Sequence, residues 1–323
     1  MFNQINKSFI KPNKKMKKNF FYMMLLAALP MAFVACSSDD DEETPKAPEL
    51  ETPAYIEQSV KLQFSETDPV VLPNGLMLDA IDLTDAGTAI FTMHAQDADV
   101  KATRANSPIA FVYYTGTFQF SSGLYLITLK KVPDELKQVA LSITNTAAMK
   151  AIFKITLNNA EVINGQADVC KKIPADEATK TIVGKWNVKM TRIRHTGDVT
   201  GVKDFEGCNL NQILDYAKSK AQFDETLSAN KVVTSVEFTT NRTFYIFYEN
   251  GDNDFGTWDW VNEQKGSLSY QWNEEDMGNR FMDGEGVFDI RDGFYCLTLS
   301  ANVDTDDGKD YDISSTWFLV QDK

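Results

Sequence analysis

Short segments rich in β-branched and aromatic residues recur along most of this chain, and this recurrence constrains the fold more than any other feature. Residues 243–248 and 294–299 are two such segments, and turn signals such as Asn250-Gly251 separate them from their neighbours. Strands that follow one another at intervals of about 8–12 residues are typical of a β-sandwich or a β-barrel. The sequence therefore predicts an all-β protein.

The C-terminal half contains eight of these segments and one interruption. The predicted strands are residues 182–193, 232–238, 243–248, 255–260, 267–272, 286–290, 294–299 and 311–320. A helix is predicted at residues 209–220, between the first two strands. Four apolar residues there share one face at helical spacing: Leu210, Ile213, Leu214 and Ala217.

Three short motifs of this half resemble the lipocalins and the lipocalin-like domains of Bacteroidota lipoproteins. They are Gly184-Lys185-Trp186 in the first strand, Gly256-Thr257-Trp258 in the middle, and residues 317–320 at the end. The resemblance implies an eight-stranded up-and-down antiparallel barrel over residues 182–323, with one inserted helix. An eight-stranded barrel encloses room for side chains or for one small ligand. Lipocalin pockets differ between members, so the resemblance implies no ligand residues.

Residues 55–170 predict a separate β domain without a resemblance to a known family. Its predicted strands are residues 55–64, 89–94, 109–114, 124–129 and 151–157. Turn signals such as Pro73-Asn74-Gly75 and Ser122-Gly123 lie between them. Residues 171–181 have little apolar periodicity and are predicted to be a linker or a short helix.

An apolar segment near the N-terminus predicts export. Residues 20–34 follow Lys17 and Lys18, which is the order found in a secretory signal peptide. The segment is shorter than the roughly 20 apolar residues of a membrane-spanning helix and contains Pro30. We therefore expect residues 1–35 to be a signal peptide, with Met16 as its start.

The residues that follow this segment predict a lipid anchor. Phe33-Val34-Ala35-Cys36 resembles the lipobox of bacterial lipoproteins in the loose form common in Bacteroidota. The resemblance implies that cleavage after Ala35 exposes Cys36 for lipidation, so the membrane would be a partner through the attached lipid. Two or more acyl chains anchor a protein stably.

An acidic, proline-containing tract, residues 36–54, follows the proposed cleavage site and predicts a flexible tether. Its run of acids at residues 39–43 resembles the export signal of Bacteroidota surface lipoproteins. That resemblance implies an outer-membrane lipoprotein exposed at the cell surface. A solvated acidic spacer is the alternative interpretation.

Charge and histidine content narrow the function classes. Residues 1–35 contain six lysines and no acid, so the rest of the chain has 26 basic and 46 acidic residues and a net charge of −20. This charge disfavours nucleic-acid binding. His94 and His195 are the only histidines, and we expect both to be solvated. The sequence thus predicts no His-dependent triad, no multi-His metal site and no cofactor.

The cysteines and acidic loops predict no metal site. Cys170, Cys208 and Cys296 form no CxxC pair, and two alternatives stay open: a disulfide between Cys208 and Cys296, or buried thiols. The acidic segment 304–310 departs from a calcium loop, since its glycine comes one place early and Ser315 occupies position twelve. A hairpin turn is the preferred interpretation.

Two further clusters of residues have both a structural and a functional interpretation. Trp258, Trp260, Tyr270 and Trp272 form either a sugar-binding platform or part of the barrel core, and the core is preferred. Acidic residues between 274 and 285 form either a pair of glycosidase carboxylates or a solvated loop, and the loop is preferred.

The sequence as a whole predicts a non-enzymatic surface lipoprotein that binds a small molecule, a glycan or a protein partner. The alternative is a structural or interaction protein whose barrels are filled by side chains. A hydrolase is the third hypothesis, disfavoured by the scarcity of histidine.

Overall fold

The structure is a computed structural model that describes residues 49–65, 67–95, 111–147, 149–158, 161–220, 231–274, 280–304 and 310–322. Side chains at 111, 146–147, 272–274, 280–283, 301–304 and 310–311 lie outside this description. Cys36 and the predicted signal peptide also lie outside the described residues.

The described residues of the first part of the chain form nine strands and one short 3-10 turn at Asp134–Leu136. The strands are β1 (Val60–Gln63), β2 (Val70–Val71), β3 (Leu76–Leu83), β4 (Thr88–Ala95), β5 (Phe111–Ser121), β6 (Leu124–Leu129), β7 (Gln138–Ala147), β8 (Lys150–Leu157) and β9 (Glu161–Val169).

Eight of these strands close into an antiparallel barrel, which we call the N-terminal barrel. The strands from β3 to β9 pair in sequence order, and β1 closes the ring by pairing with both β3 and β9. Leu62 of β1 lies opposite Ile81 on one side and Val169 on the other. The strand β2 pairs with β3 outside the ring.

Side chains alternate between the inside and the outside of this barrel, as strand geometry requires. Phe153 and Ile155 of β8 are buried in the interior, whereas Ile152 and Lys154, which alternate with them, are exposed. Because the ring is closed, each of these eight strands pairs with a neighbour on both sides, and the described part of the barrel has no edge strand.

A short connection leads to the second barrel and contains helix α1 (Glu177–Ile182). Asp176 precedes the helix, and its carboxylate accepts a hydrogen bond from the backbone nitrogen of Thr179 at 2.9 Å. This contact satisfies one of the free donors at the helix start. At the other end, the carbonyl of Ile182 accepts a 2.7 Å hydrogen bond from Trp186 Nε1.

In the second part of the chain, the residues that the structure describes form ten strands, the helix α2 (Leu210–Lys220) and a 3-10 turn at Glu263–Lys265. The strands are β10 (Gly184–Gly197), β11 (Gly201–Glu206), β12 (Cys208–Asn209), β13 (Val232–Phe238), β14 (Thr243–Tyr248), β15 (Asn253–Asn262), β16 (Ser267–Glu274), β17 (Arg280–Arg291), β18 (Phe294–Asp304) and β19 (Asp310–Gln321).

These strands form a second closed eight-stranded antiparallel barrel, the C-terminal barrel. Strands β13 to β19 pair in sequence order, and the long strand β10 closes the ring by pairing with β13 and β19. The second half of β10 also pairs with β11, which lies outside the ring. The prediction of an all-β protein with two β-rich domains and an eight-stranded C-terminal barrel is confirmed.

The helix α2 lies between β12 and β13, where the sequence predicted a helix, and that prediction is confirmed. The four residues predicted to share one face are all buried: Leu210, Ile213, Leu214 and Ala217. They join the core of the C-terminal barrel. No helix in the described ranges is both long enough and apolar enough to cross a membrane.

Candidate functional site

The candidate site is a cavity of about 330 Å³ at one end of the N-terminal barrel. The start of β1, the β5–β6 turn, the end of β7 and the end of β9 meet at this end. We call it the mouth cavity. Twelve residues line it: Glu57, Gln58, Ser59, Val60, Phe120, Gly123, Tyr125, Ile143, Asn145, Val169, Cys170 and Lys172.

Inward-facing side chains of the barrel form the apolar part of the mouth cavity. Val60, Ile143 and Val169 pack against the barrel core. The rings of Phe120 and Tyr125 lie 4.6 Å apart between centroids. Tyr125 donates a 2.7 Å hydrogen bond from its hydroxyl to the carbonyl of Gln58, which ties the aromatic wall to the segment before β1.

A tight turn places this aromatic wall. Ser122 and Gly123 connect β5 to β6, and both have a positive φ, of 53° and 80°. Positive φ at two consecutive turn residues matches the right-handed twist of the flanking strands. The hairpin therefore brings Phe120 and Tyr125 opposite each other at the rim.

The polar part of the mouth cavity is centred on Lys172. Its Nζ donates hydrogen bonds to the carbonyl of Ile56 at 3.1 Å and to Ser59 Oγ at 2.8 Å. Burial lowers the pKa of the Lys172 ammonium, and the carboxylates of Asp85, Glu57 and Asp82 oppose this shift. Asn145 and Glu57 add an exposed amide and an exposed carboxylate to the rim.

A buried polar network, which we call the junction network, joins the two barrels next to the mouth cavity. Asp85 of the β3–β4 turn accepts hydrogen bonds from Ser59 Oγ at 2.7 Å and from Thr240 Oγ1 at 2.8 Å. Its other oxygen accepts from the backbone nitrogen of Thr240 at 2.7 Å. Desolvation raises the pKa of the Asp85 carboxyl despite these bonds.

The second carboxylate of the junction network is Asp82. It accepts hydrogen bonds from Asn241 Nδ2 at 2.8 Å and from the Tyr245 hydroxyl at 2.7 Å. All three side chains are buried. Because both donors come from the C-terminal barrel, the carboxylate is satisfied only when the two barrels are in contact.

The third carboxylate, Glu237, lies on the C-terminal side of the junction. Its Oε2 accepts a 2.8 Å hydrogen bond from Thr88 Oγ1 of the N-terminal barrel. Glu237 is fully buried, and desolvation raises its pKa to about 7. Hydrogen bonds and the Lys185 ammonium oppose that shift, while Asp82 adds to it.

The described side chains inside the C-terminal barrel pack closely. The space lined by residues such as Phe238, Phe244, Tyr270 and Trp317 amounts to about 20 Å³. A space of roughly 10–15 Å³ on this measure holds one water molecule. The part of the C-terminal barrel interior that the described residues line is therefore a packed core.

The structure places three residues of the suggested aromatic platform in or against that core. Trp258 and Tyr270 are buried, and Trp258 Nε1 donates a 3.0 Å hydrogen bond to the carbonyl of Thr239. Trp260 packs against the core and donates to Thr179 Oγ1 at 3.1 Å. The fourth residue, Trp272, has its side chain outside the described part. The core interpretation thus holds for the first two.

The expectation that both histidines are solvated is wrong. His195 is 1% exposed, because β10 continues through it to Gly197 where the sequence suggested a turn. Burial lowers its pKa to about 4. His94 is 9% exposed within β4, and its Nδ1 lies 2.7 Å from a carboxylate oxygen of Asp79.

The three described cysteines are thiols and form no disulfide with one another. Cys208 and Cys296 are buried, as one of the two interpretations expected, and Cys170 is half-buried at the mouth cavity. Within the described ranges, no three His, Cys, Asp or Glu side chains converge to hold a metal ion. The acidic segment 304–310 lies largely outside the described residues, as do most side chains between 274 and 285.

Sequence reasoning missed the mouth cavity. Lys172 fell in a segment predicted to be a linker, and Phe120 lay just beyond the predicted strand at 109–114. The Ser122-Gly123 turn signal was available, and a hairpin at this turn brings the aromatic residues on either side of it close together.

Comparison with models of protein families and with curated proteins found no match. Among solved structures, a porin-like protein from Bacteroides uniformis is similar over 81% of this chain and 97% of that chain. The sequence identity is 8% and the TM-score is 0.18, so this likeness supports no argument about the present chain.

Proposed function

We propose that this protein is a lipid-anchored binding protein of the bacterial cell surface, non-enzymatic, with its ligand site in the mouth cavity of the N-terminal barrel. The anchor part rests on Cys36 and its flanking residues, which resemble a Bacteroidota lipoprotein signal. The same resemblance supports an outer-membrane location, and the Gly184-Lys185-Trp186 motif supports a lipocalin-like C-terminal domain.

The contrast between the two barrels carries the binding part of the proposal. The mouth cavity has about 330 Å³, whereas the described residues inside the C-terminal barrel line a space of about 20 Å³. Ligand sites are concave, mostly apolar and contain a few convergent polar groups, with typical volumes of about 300–1,000 Å³. The mouth cavity falls in this volume range and combines an apolar, partly aromatic lining with convergent polar groups, Lys172 and Ser59 among them.

A binding assay with a cavity-filling variant tests this proposal. A library of fluorinated fragments containing acids, alcohols and amines is screened against the mature protein by fluorine NMR. The variant Ile143→Trp places a large ring in the mouth cavity and should abolish binding of the hits. Its neighbour Thr144 is exposed on the outside of the same strand, so Thr144→Trp is the matched control and should keep the hits.

Two results would overturn the binding proposal. One is the absence of any hit for the wild-type protein. The other is a set of hits that bind wild type and Ile143→Trp equally, since those ligands would bind elsewhere.

The anchor proposal has its own test. Cys36→Ala should move the protein from the membrane fraction to the soluble fraction, and Cys170→Ala should leave it in the membrane. Protease treatment of intact cells should then degrade the wild-type protein. Retention of Cys36→Ala in salt-washed membranes would contradict the anchor, and protection of the wild type until lysis would contradict surface exposure.

The close packing of the described residues inside the C-terminal barrel favours a second candidate function, a structural or interaction role for that half. Its core contains Trp186 and Trp317, both nearly inaccessible to solvent. Such a domain supports the N-terminal barrel through the junction network and offers only its outer surface to a partner. If no fragment binds and the anchored protein is recovered in a complex, this second function is preferred.

A further inference from the structure

The position of Lys172 bears on the chemistry of the ligand. It follows β9 by three residues, and its side chain extends along the rim of the mouth cavity. An ammonium group has three hydrogen-bond donors. Two of them are directed to Ile56 O and Ser59 Oγ, which are both neutral oxygens.

Lys172 has no direct ion pair in the described part of the chain. Asp85, the carboxylate with the largest electrostatic effect on Lys172, uses its oxygens to accept hydrogen bonds from Ser59 and Thr240. The described carboxylates thus raise the pKa of the ammonium without a direct contact and oppose the effect of burial, which lowers it. A half-buried cation that contacts only neutral oxygens is stabilised by an added anion more than an exposed cation would be.

Part of the lining of the mouth cavity is apolar. Val60, Ile143 and Val169 present aliphatic groups, and the ring of Phe120 lies against that of Tyr125. A ligand that fills the cavity therefore contacts these apolar groups over part of its surface and polar groups, with the Lys172 cation among them, over the rest. The exposed Glu57 carboxylate at the rim disfavours a second negative charge on the ligand.

We propose that the mouth cavity binds a small organic monocarboxylate with an aromatic or aliphatic body, whose carboxylate accepts a hydrogen bond from Lys172 Nζ. This inference rests on the proposed binding function and adds the charge and shape of the ligand. Lys172 is then the residue that selects anionic over neutral ligands of the same body.

Three probes with one body and different heads test the proposal: phenylbutyrate, phenylbutanol and phenylbutylamine. Titration calorimetry with the mature protein should show that phenylbutyrate binds about tenfold more tightly than phenylbutanol, the effect of one charged hydrogen bond. Phenylbutylamine should bind most weakly, because its ammonium group would face Lys172.

Substitutions at Lys172 and its neighbour test whether Lys172 causes the preference for the acid over the alcohol. Lys172→Met should lower the affinity for phenylbutyrate to that for phenylbutanol, while Lys172→Arg should keep the preference for the acid. Lys171 is exposed and adjacent, so Lys171→Met is the matched control and should bind like wild type. Because Lys172 also contacts Ile56 and Ser59, the comparison of acid with alcohol in the wild type provides a test that needs no substitution.

The outcomes separate this inference from the function on which it rests. Equal affinities for phenylbutyrate and phenylbutanol, both abolished by Ile143→Trp, would overturn the choice of a monocarboxylate and keep the binding site. Failure of phenylbutyrate to bind would also overturn it. The fluorinated fragments then decide whether the mouth cavity binds any ligand.

Discussion

At the scale of single residues, the most informative side chain is Glu237. It is a fully buried carboxyl at the contact between two barrels, with one hydrogen bond from Thr88 and a second carboxylate, Asp82, close enough to raise its pKa further. A carboxyl in such a place favours the protonated form, since desolvation penalises its charge. The stability of the protein should therefore depend on pH around neutrality.

The first prediction concerns this group. The pKa of Glu237 is about 7 in the folded protein against an ordinary value of 4.5, so the folded state binds the extra proton between these pH values. Its contribution to stability is present below pH 4.5 and is lost as the pH rises through 7. The loss amounts to about 3 kcal/mol. Glu237→Gln should keep the bond from Thr88 and remove this loss.

Urea denaturation of wild type and Glu237→Gln across this pH range measures the effect. The exposed Glu249 provides the control, and Glu249→Gln should have the pH profile of the wild type. If the free energy of unfolding changed with pH in the same way for wild type and Glu237→Gln, the prediction would be contradicted.

The second prediction concerns the cysteines. Burial raises the pKa of the Cys208 thiol to about 12 and that of Cys296 to about 11, which makes both slow to react near neutral pH. In a protein carrying Cys36→Ala, a thiol reagent should label only Cys170 while the protein is folded and all three cysteines in denaturant. Labelling of a single cysteine in denaturant would indicate the Cys208–Cys296 disulfide that the structure lacks.

At the scale of elements, the inserted helix α2 depends on one face. Ile213 is completely buried and Leu214 nearly so, whereas Gln212 beside them is exposed. An isolated helix of eleven residues is marginal in water, so its stability comes from packing of the apolar face on the barrel. Lys218 and Lys220 in the last turn add favourable interactions with the helix dipole.

The third prediction follows from this face. Ile213→Ala should lower the free energy of unfolding by about 2–5 kcal/mol, because it leaves a cavity in the core. Gln212→Ala, one position away on the exposed side, should change it by less than about 0.5 kcal/mol. Chemical denaturation measures both, and similar effects for the two variants would show that the helix does not pack on the barrel.

At the scale of the whole molecule, the two barrels share the junction network. Asp82 and Asp85 belong to the N-terminal barrel, while their donors Thr240, Asn241 and Tyr245 belong to the C-terminal one. Separation of the barrels would expose these buried groups to water or leave them without their hydrogen-bond partners. The barrels should therefore unfold together, although each has its own hydrophobic core.

The fourth prediction tests that coupling by calorimetry. The wild-type protein should unfold in one transition. Asn241→Ala combined with Tyr245→Phe removes both donors to the buried Asp82 carboxylate, which costs at least about 1–3 kcal/mol at the junction. The double variant should unfold in two transitions. Two transitions in the wild type would contradict the coupling.

Some features of this protein were predictable from sequence because their signals are local. The strands at 243–248 and 294–299 have high β-propensity, and the helix at 209–220 has an apolar stripe. The strands β3, β7 and β9 were not predicted from the sequence. The residues of β9 include Asn164, Gly165, Gln166 and Asp168, which disfavour strands in isolation. Pairing with β8 on one side and β1 on the other provides the hydrogen bonds that hold it extended.

By itself, the sequence determined the all-β class and the inserted helix, because alternation and turn chemistry act between near neighbours. The eight-stranded C-terminal barrel was expected from the resemblance to lipocalins. Only the tertiary structure decided that the N-terminal half also closes, that His195 is buried, and that Lys172 meets Phe120 and Tyr125 at one mouth. Those residues are up to 52 positions apart, and ring closure between β1 and β9 is what brings them together. Contacts between distant residues depend on the packing of the whole barrel, which no local pattern specifies.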